Sequence, residues 1–306
     1  MFKRILVPLD GSGLAERALP VAARLARASG GSITLVRVIS TTPASFPSAP
    51  ARPNLVQSIS ETDRRLAASY LEGVAATDIL RGIYVKNEVS VGLVAPIILS
   101  IAASSLADII VMGSHGFTGV TRWMMGSVAD KVARYADVPV LILRDGGPIP
   151  TEQFHHEPEG PRILVPLDGS QNAEAVLAPA ASLATALSVS GKGALHFIHV
   201  ASDEASNTVN MAKKYIDTII QDKDAVPREA DLNLTLTSSI VIDKDVAHAV
   251  VRTAEQGSEQ EDHFDAIAMS THGYGGLQRW VTGSVTGRVL NTTRLPVLVV
   301  RPTELS

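Results

Sequence analysis

Short apolar runs and stretches of helical spacing alternate along this chain. Ile5–Leu9 is a continuous apolar run of strand length. Leu14–Ala28 then places apolar residues at helical spacing, with Arg17, Arg24 and Arg27 outward. Pro20 falls inside that stretch and predicts a kink or a late helix start, because proline has no N–H to donate in a helix interior. The same alternation predicts strands at Ile33–Ile39, Tyr84–Val91, Ile109–Met112 and Val138–Leu143, with helices at Ser58–Ala76, Pro96–Ser105 and Ser127–Ala136. Pro139 forbids helix continuation and suits the start of a strand. Strands apolar at nearly every position belong in a parallel sheet covered on both faces, and right-handed crossovers make such a sheet doubly wound.

The pattern occurs twice. RILVPLDGS at Arg4–Ser12 returns at Arg162–Ser170, and the stretch Gly113–Arg144 matches Ser270–Arg301 at nearly the same offset. Two long matches in one register mean a duplication. The expected division is a first domain at 1–145, a linker at 146–161 and a second domain at 162–306. The linker stretch DGGPIPTEQFHHEPEGP has no apolar periodicity and suits exposed chain. His155 and His156 within it lack a third ligand nearby and are read as solvated linker rather than as a metal site.

Composition narrows the classes. Hydrophobic residues make up 45% and charged residues 19%, which supplies packed cores and argues against disorder. Lys and Arg total 27 against 31 Asp and Glu, a net charge of -4 with no electrostatic footprint for nucleic acid or an anionic membrane. Cysteine is absent, which excludes disulfides, thiolate metal sites and thiol nucleophiles. Met1–Arg4 runs straight into a strand pattern without signal-peptide architecture, and no apolar run approaches the ~20 residues of a membrane span. A soluble, cytoplasmic protein is expected.

In doubly wound sheets the ligand crevice lies beyond the carboxyl ends of the strands. Two features of the first repeat fall there. One is Pro8-Leu9-Asp10-Gly11-Ser12 after the first strand; the other is the glycine-rich stretch from Gly113 through His115, Gly116 and Gly119 to Gly126 and Ser127. Glycines let backbone amides approach a phosphate, and the helix that follows offers unpaired N–H groups and a positive dipole end. Ser127 is expected to cap that helix or to donate to phosphate. Asp10 has the character to accept hydrogen bonds from ribose hydroxyls. A tight turn without a ligand is the alternative reading of the glycines alone.

The spacing Gly113-x2-Gly116-x9-Gly126-Ser127 resembles the nucleotide-binding signature of ATP-binding universal stress proteins. KRILVPLDGS, GSVADKV and VPVLILR are similar to that family as well, and the resemblance spans both repeats. It implies two tandem α/β, Rossmann-like, doubly wound five-stranded parallel-sheet domains of strand order 3-2-1-4-5. ATP would lie across strands one and four, with Pro8, Asp10, Val38 and Met112 framing the adenosine. Gly113, His115, Gly116, Gly126, Ser127 and Val128 would lie along the phosphates, with a divalent cation such as Mg2+ or Mn2+ held through them. The second repeat carries Pro166, Asp168, Val200, Met269, Gly273, Gly283, Ser284 and Val285 at the matching places, but Ser270 replaces the first glycine. If that position needs positive φ or close ligand approach, serine costs binding; if it only ends the strand, serine is harmless.

Other features draw plainer readings. Ser29-Gly30-Gly31-Ser32 precedes strand two and is a helix-to-strand turn, and Gly191-Lys192-Gly193 stands at the same place without P-loop spacing. His115 and His272 have no partner carboxylate evident in the sequence, and Arg122 and Arg279 read as solvated neighbours of packed tryptophans. The proline-rich Thr41–Asn54 segment leaves the carboxyl end of strand two and is placed to cover a nucleotide. No catalytic residue is assigned. The leading function is an ATP-binding stress-response sensor with binding as its output. The alternatives are a slow ATPase or autokinase and a nucleotide-free interaction module. The resemblance also implies pairing of the two domains through their final strands, Val138–Leu143 and Leu295–Val300, and makes a homodimer of the whole chain plausible.

Overall fold

The computed structural model describes residues 1–40, 61–114, 125–149, 160–188, 191–222, 224–226, 233–257, 263–271 and 284–302. The proline-rich segment, His155 and His156 lie outside them. So do His115, Gly116, Arg122, His272, Gly273, Arg279 and Gly283.

Element order follows the duplication. The first repeat runs β1 (Arg4–Pro8), α1 (Gly13–Glu16), α2 (Ala18–Ser29), β2 (Ser32–Ser40), α3 (Glu61–Ala75), β3 (Tyr84–Gly92), α4 (Val94–Ser104), β4 (Ile109–Gly113), α5 (Ser127–Tyr135) and β5 (Val140–Leu143). The second runs β6 (Arg162–Pro166), α6 (Gln171–Glu174), α7 (Leu177–Leu187), β7 (Lys192–Ala201), α8 (Ser206–Gln221), β8 (Asn233–Ile242), α9 (Val246–Gln256), β9 (Ala266–Ser270), α10 (Ser284–Thr292) and β10 (Val297–Val300). Within each repeat the strands are parallel, and the first has the expected order β3-β2-β1-β4-β5. β5 and β10 run antiparallel side by side, with Leu141 opposite Leu298, and join the halves into one ten-stranded sheet.

Strand side chains alternate between the two faces and build two cores. Ile5, Val7, Val111 and Leu141 pack with α1, α2 and α3, while Leu6, Ile110, Met112 and Ile142 pack with α4 and α5. Both cores continue through the second repeat, against α6 to α8 on one face and α9 and α10 on the other. Each fully buried Leu, Ile or Val contributes about 1.5–3 kcal/mol of transfer free energy, so the sheet is rigid where the crevice needs it.

Proline positions explain where element bounds differ from the sequence pattern. The stretch Leu14–Ala28 divides at Arg17, and α2 starts late, with Pro20 as its third residue. First-turn N–H groups have no helical acceptor, so proline costs nothing there. Pro96 is likewise third in α4, which begins two residues ahead of the predicted start. β5 begins after Pro139, whose carbonyl accepts from Ile110 N (3.0 Å). Ser29–Ser32 is the expected turn: Gly30 closes α2 in the left-handed region (φ 61°), and a Cβ on Gly31 would lie 2.3 Å from Lys3 O.

Candidate functional site

Parallel pairing of β1 with β4 (Leu6 opposite Ile110) and with β2 (Pro8 opposite Val36) brings three strand ends to one rim. Pro8, Asp10, Val38, Met112 and Gly113 therefore lie along one rim of the sheet. Asp10 is set by its own turn: Oδ1 accepts from Ser12 N (3.0 Å) and Ser12 Oγ (2.5 Å). Ser12 in turn caps α1, its Oγ accepting from Ala15 N (3.2 Å). Gly11 makes the turn possible at φ 83°, where a side chain is strained. The second repeat reproduces these bonds, with Asp168 Oδ1 accepting from Ser170 N (3.0 Å) and Oγ (2.6 Å).

On the other side of the crevice, β4 ends at Gly113 and α5 begins. Ser114 N donates to Leu143 O (2.8 Å), and Gly126 N donates to Ser114 O (2.8 Å), which ties together the two ends of the intervening loop. The helix cap corrects one expectation. Gly126, extended at φ -63° and ψ 147°, is the N-cap residue and brings no side chain, while Ser127 is the first helical residue and is exposed. First-turn N–H groups of α5 thus border the crevice without a side-chain cap, where the helix dipole favours an anion. Val38, Met112 and Val128 belong to one apolar cluster on the α4–α5 face, as do Val200, Met269 and Val285 in the second repeat.

Ser270 is an ordinary strand residue. It ends β9 opposite Val300 as Gly113 ends β4 opposite Leu143, and among the described residues Leu106 alone combines a side chain with positive φ (53°). The backbone-conformation reason for glycine at this place is removed. Thr286 Oγ1 donates to Ser270 O (2.8 Å), a bond unavailable to Ala129 at the matching place in α5.

Several polar groups around the rim were not singled out from the sequence. Arg37 donates from Nη1 to Leu9 O (3.4 Å) and lies over the Tyr70 ring, 5.7 Å from its centroid. The Tyr70 hydroxyl donates to Glu16 Oε1 (2.8 Å); burial first, then that carboxylate, pushes the tyrosine pKa up. Tyr215 and Glu174 repeat the pair (3.0 Å) with the same direction of shift. Where the first repeat has Arg37, the second has His199, whose Nδ1 is buried without a partner. The available signal was a polar residue interrupting an apolar strand: Arg37 in ITLVRVI and His199 in LHFIHV. Among the described residues no group of three or more His, Cys, Asp or Glu is arranged to hold a metal, and no helix is long and apolar enough to cross a membrane.

The family model described as the universal stress protein family matches residues 1–144 and again 161–301. The chain belongs to the universal stress protein family. A Mycobacterium tuberculosis universal stress protein, Rv2005c, is 28% identical over 312 residues, covering 97% of this chain and 96% of its own. The Methanocaldococcus jannaschii universal stress protein MJ0531 is 31% identical over 144 residues, 47% of this chain and 83% of its own. The crystal structure of a universal stress protein from Archaeoglobus fulgidus is similar in fold (TM-score 0.63, 19% identity, 97% of this chain and 98% of that one). Tandem duplication of the domain thus extends over nearly the full length of such relatives.

Proposed function

We propose that the first repeat of this universal stress protein binds ATP and acts as a cytoplasmic stress-response sensor, with occupancy rather than rapid turnover as its output. The supporting observation is the adjacency, at one rim, of the fixed Asp10 turn and the side-chain-free N-terminus of α5. A carboxylate there accepts from ribose hydroxyls, and backbone N–H groups at a helix start take phosphate oxygens. Val38, Met112 and Val128 offer the apolar wall that an adenine ring stacks on. Gly113, His115, Gly116, Gly126 and Ser127 line the phosphate path in this reading, and a Mg2+ or Mn2+ ion is carried on the phosphate oxygens.

In the second repeat, Pro166, Asp168, Val200, Met269, Ser270, Gly273, Gly283, Ser284 and Val285 form the corresponding crevice. The proposal gives it the weaker affinity or the role of a built-in pairing partner. Isothermal titration with ATP and Mg2+ tests the stoichiometry: one dominant site is expected, and two equivalent sites would remove the asymmetry. Incubation with γ-labelled ATP tests the output, since a sensor releases little phosphate and retains none covalently. Turnover above about 1 s⁻¹, ordinary for enzymes, would replace the sensor reading with an ATPase.

A further inference from the structure

Beside the crevice, on the α1 face of the sheet, lies a narrow cleft lined by Leu14, Arg17, Gly113, Ser114 and Leu143 and, at the end of β5, by Arg144 and the carboxylate-bearing Asp145. Its space, about 190 Å³ counting the part open to solvent, encloses room for little more than one water-sized group. It suits a single small group rather than a whole nucleotide. Strand alternation explains why it exists. Val111 and Leu143 both face the α1 core, so a side chain at 113, opposite Leu143, would project to the same side. Gly113 has none, and the cleft stays open.

One of its lining residues is a cation with an unmet hydrogen-bonding capacity. Arg144 is only 4% exposed; its Nε donates to Thr293 O in the second repeat (3.0 Å), but its Nη1 is buried with no partner. Burial works against this guanidinium's charge, with the neighbouring Asp145 partly offsetting it. An unpaired donor on a buried cation is costly unless something anionic meets it. Arg17, on α1 at the cleft edge, supplies a second guanidinium, anchored through Nη2 to Gly147 O. The second repeat lacks this arrangement. Ala175 stands in place of Arg17, Ser270 puts a side chain where Gly113 has none, and Arg301 turns outward to Asp137 (3.1 Å).

The geometry points to an oxyanion subsite in the first repeat, in which Arg144 and Arg17 hold one oxygen of a phosphoryl group against the end of β4. Arg144 is the residue that links it to the second repeat. The shared chemistry is a phosphoryl oxyanion. It comes either from the distal phosphates of ATP, which rests on the function proposed above, or from a free inorganic anion, which does not.

Calorimetric titration of the full chain with inorganic pyrophosphate, AMP and ATP separates the two. Arg144→Met and Arg17→Met are expected to lower pyrophosphate affinity about tenfold or more, the scale of a lost charge-assisted hydrogen bond. Gly113→Ser, which keeps both cations and the bond to Thr293, is expected to lower it by filling the cleft. ATP affinity should fall with pyrophosphate affinity in all three, and AMP affinity should stay within about twofold, since AMP has no distal phosphate. If pyrophosphate binds through Arg144 but no nucleotide binds, the subsite stands as an inorganic-anion site and the ATP proposal falls. If ATP and pyrophosphate each bind wild type and all three variants alike, the subsite is overturned and the ATP proposal stands; if only pyrophosphate affinity falls, the subsite stands as an inorganic-anion site apart from ATP. No pyrophosphate binding to wild type, or affinity unchanged in Arg17→Met and Gly113→Ser, also overturns it and leaves Arg144 as an interdomain strut.

Discussion

In both repeats the turn after the first strand is built alike: aspartate Oδ1 accepts from the serine two residues on, and that serine caps a short helix. Around that shared turn the halves part company. Beside it Arg37 stands against His199, and toward the end of the fourth strand Gly113, Ala129, Arg17 and a buried Arg144 stand against Ser270, Thr286, Ala175 and an outward Arg301. Both halves keep the aspartate of that turn, while the residues at the end of the fourth strand and the helices beside it differ. Differences of this kind change the rim without disturbing the sheet, because loops and strand ends carry little of the core. The comparison therefore separates what the scaffold requires from what a ligand requires.

The strongest way to probe the scaffold half of that comparison is at the helix-to-strand turn. A Cβ on Gly31 would lie 2.3 Å from Lys3 O, a backbone atom, whereas one on the matching Gly193 meets nothing closer than 3.5 Å. Gly31→Ala is expected to destabilise by about 3 kcal/mol, the upper end of overpacking costs, and Gly193→Ala by well under that. Urea unfolding midpoints check it; equal losses would mean the two turns are not distinguished by this contact. Next in size, Asp10→Ala should weaken ATP binding about tenfold to a hundredfold, the loss of hydrogen bonds to a charged group. Asp168→Ala should leave the tightest site intact.

How much of this was legible in the sequence follows from the kind of signal each feature leaves. RILVPLDGS and its copy, with apolar strands between helical stretches, yielded the duplication, the doubly wound fold and the parallel pairing, while the strand order came only from the family resemblance. Helix starts at Pro20 and Pro96 were blurred because proline is neutral in a first turn and hostile in the next. Asp10, Gly113, Gly126 and their neighbours stand out as candidates because glycine spacing is a local pattern. Arg144 and Arg17 do not. Their meeting at one cleft depends on β5 lying beside β4 and α1 folding over both, and no periodicity reports that. For Ser270 the sequence leaves positive φ, close ligand approach or no effect open, and its extended strand geometry removes the first of these.

Smaller effects sharpen the comparison further. Tyr70 and Tyr215 have folded-state pKa values raised by burial and by Glu16 or Glu174. Raised values mean full stability below the ordinary tyrosine range near 10 and a loss as pH rises beyond it. Unfolding free energy should therefore fall from about pH 10 upward, less steeply in Tyr70→Phe and Tyr215→Phe; a flat alkaline limb in wild type would contradict the assignment. Smallest of all, Ser270→Gly should change ATP binding by less than about twofold, since the second repeat still lacks Arg17 and a buried arginine. A gain of tenfold would make the serine alone responsible for the asymmetry.

The most direct measurement is calorimetric titration of ATP with Mg2+ into three proteins, wild type, Asp10→Ala and Asp168→Ala. The account predicts saturable binding in wild type, loss of the tightest site in Asp10→Ala and its retention in Asp168→Ala. Absence of binding in wild type, or retention of that site in Asp10→Ala, would contradict it.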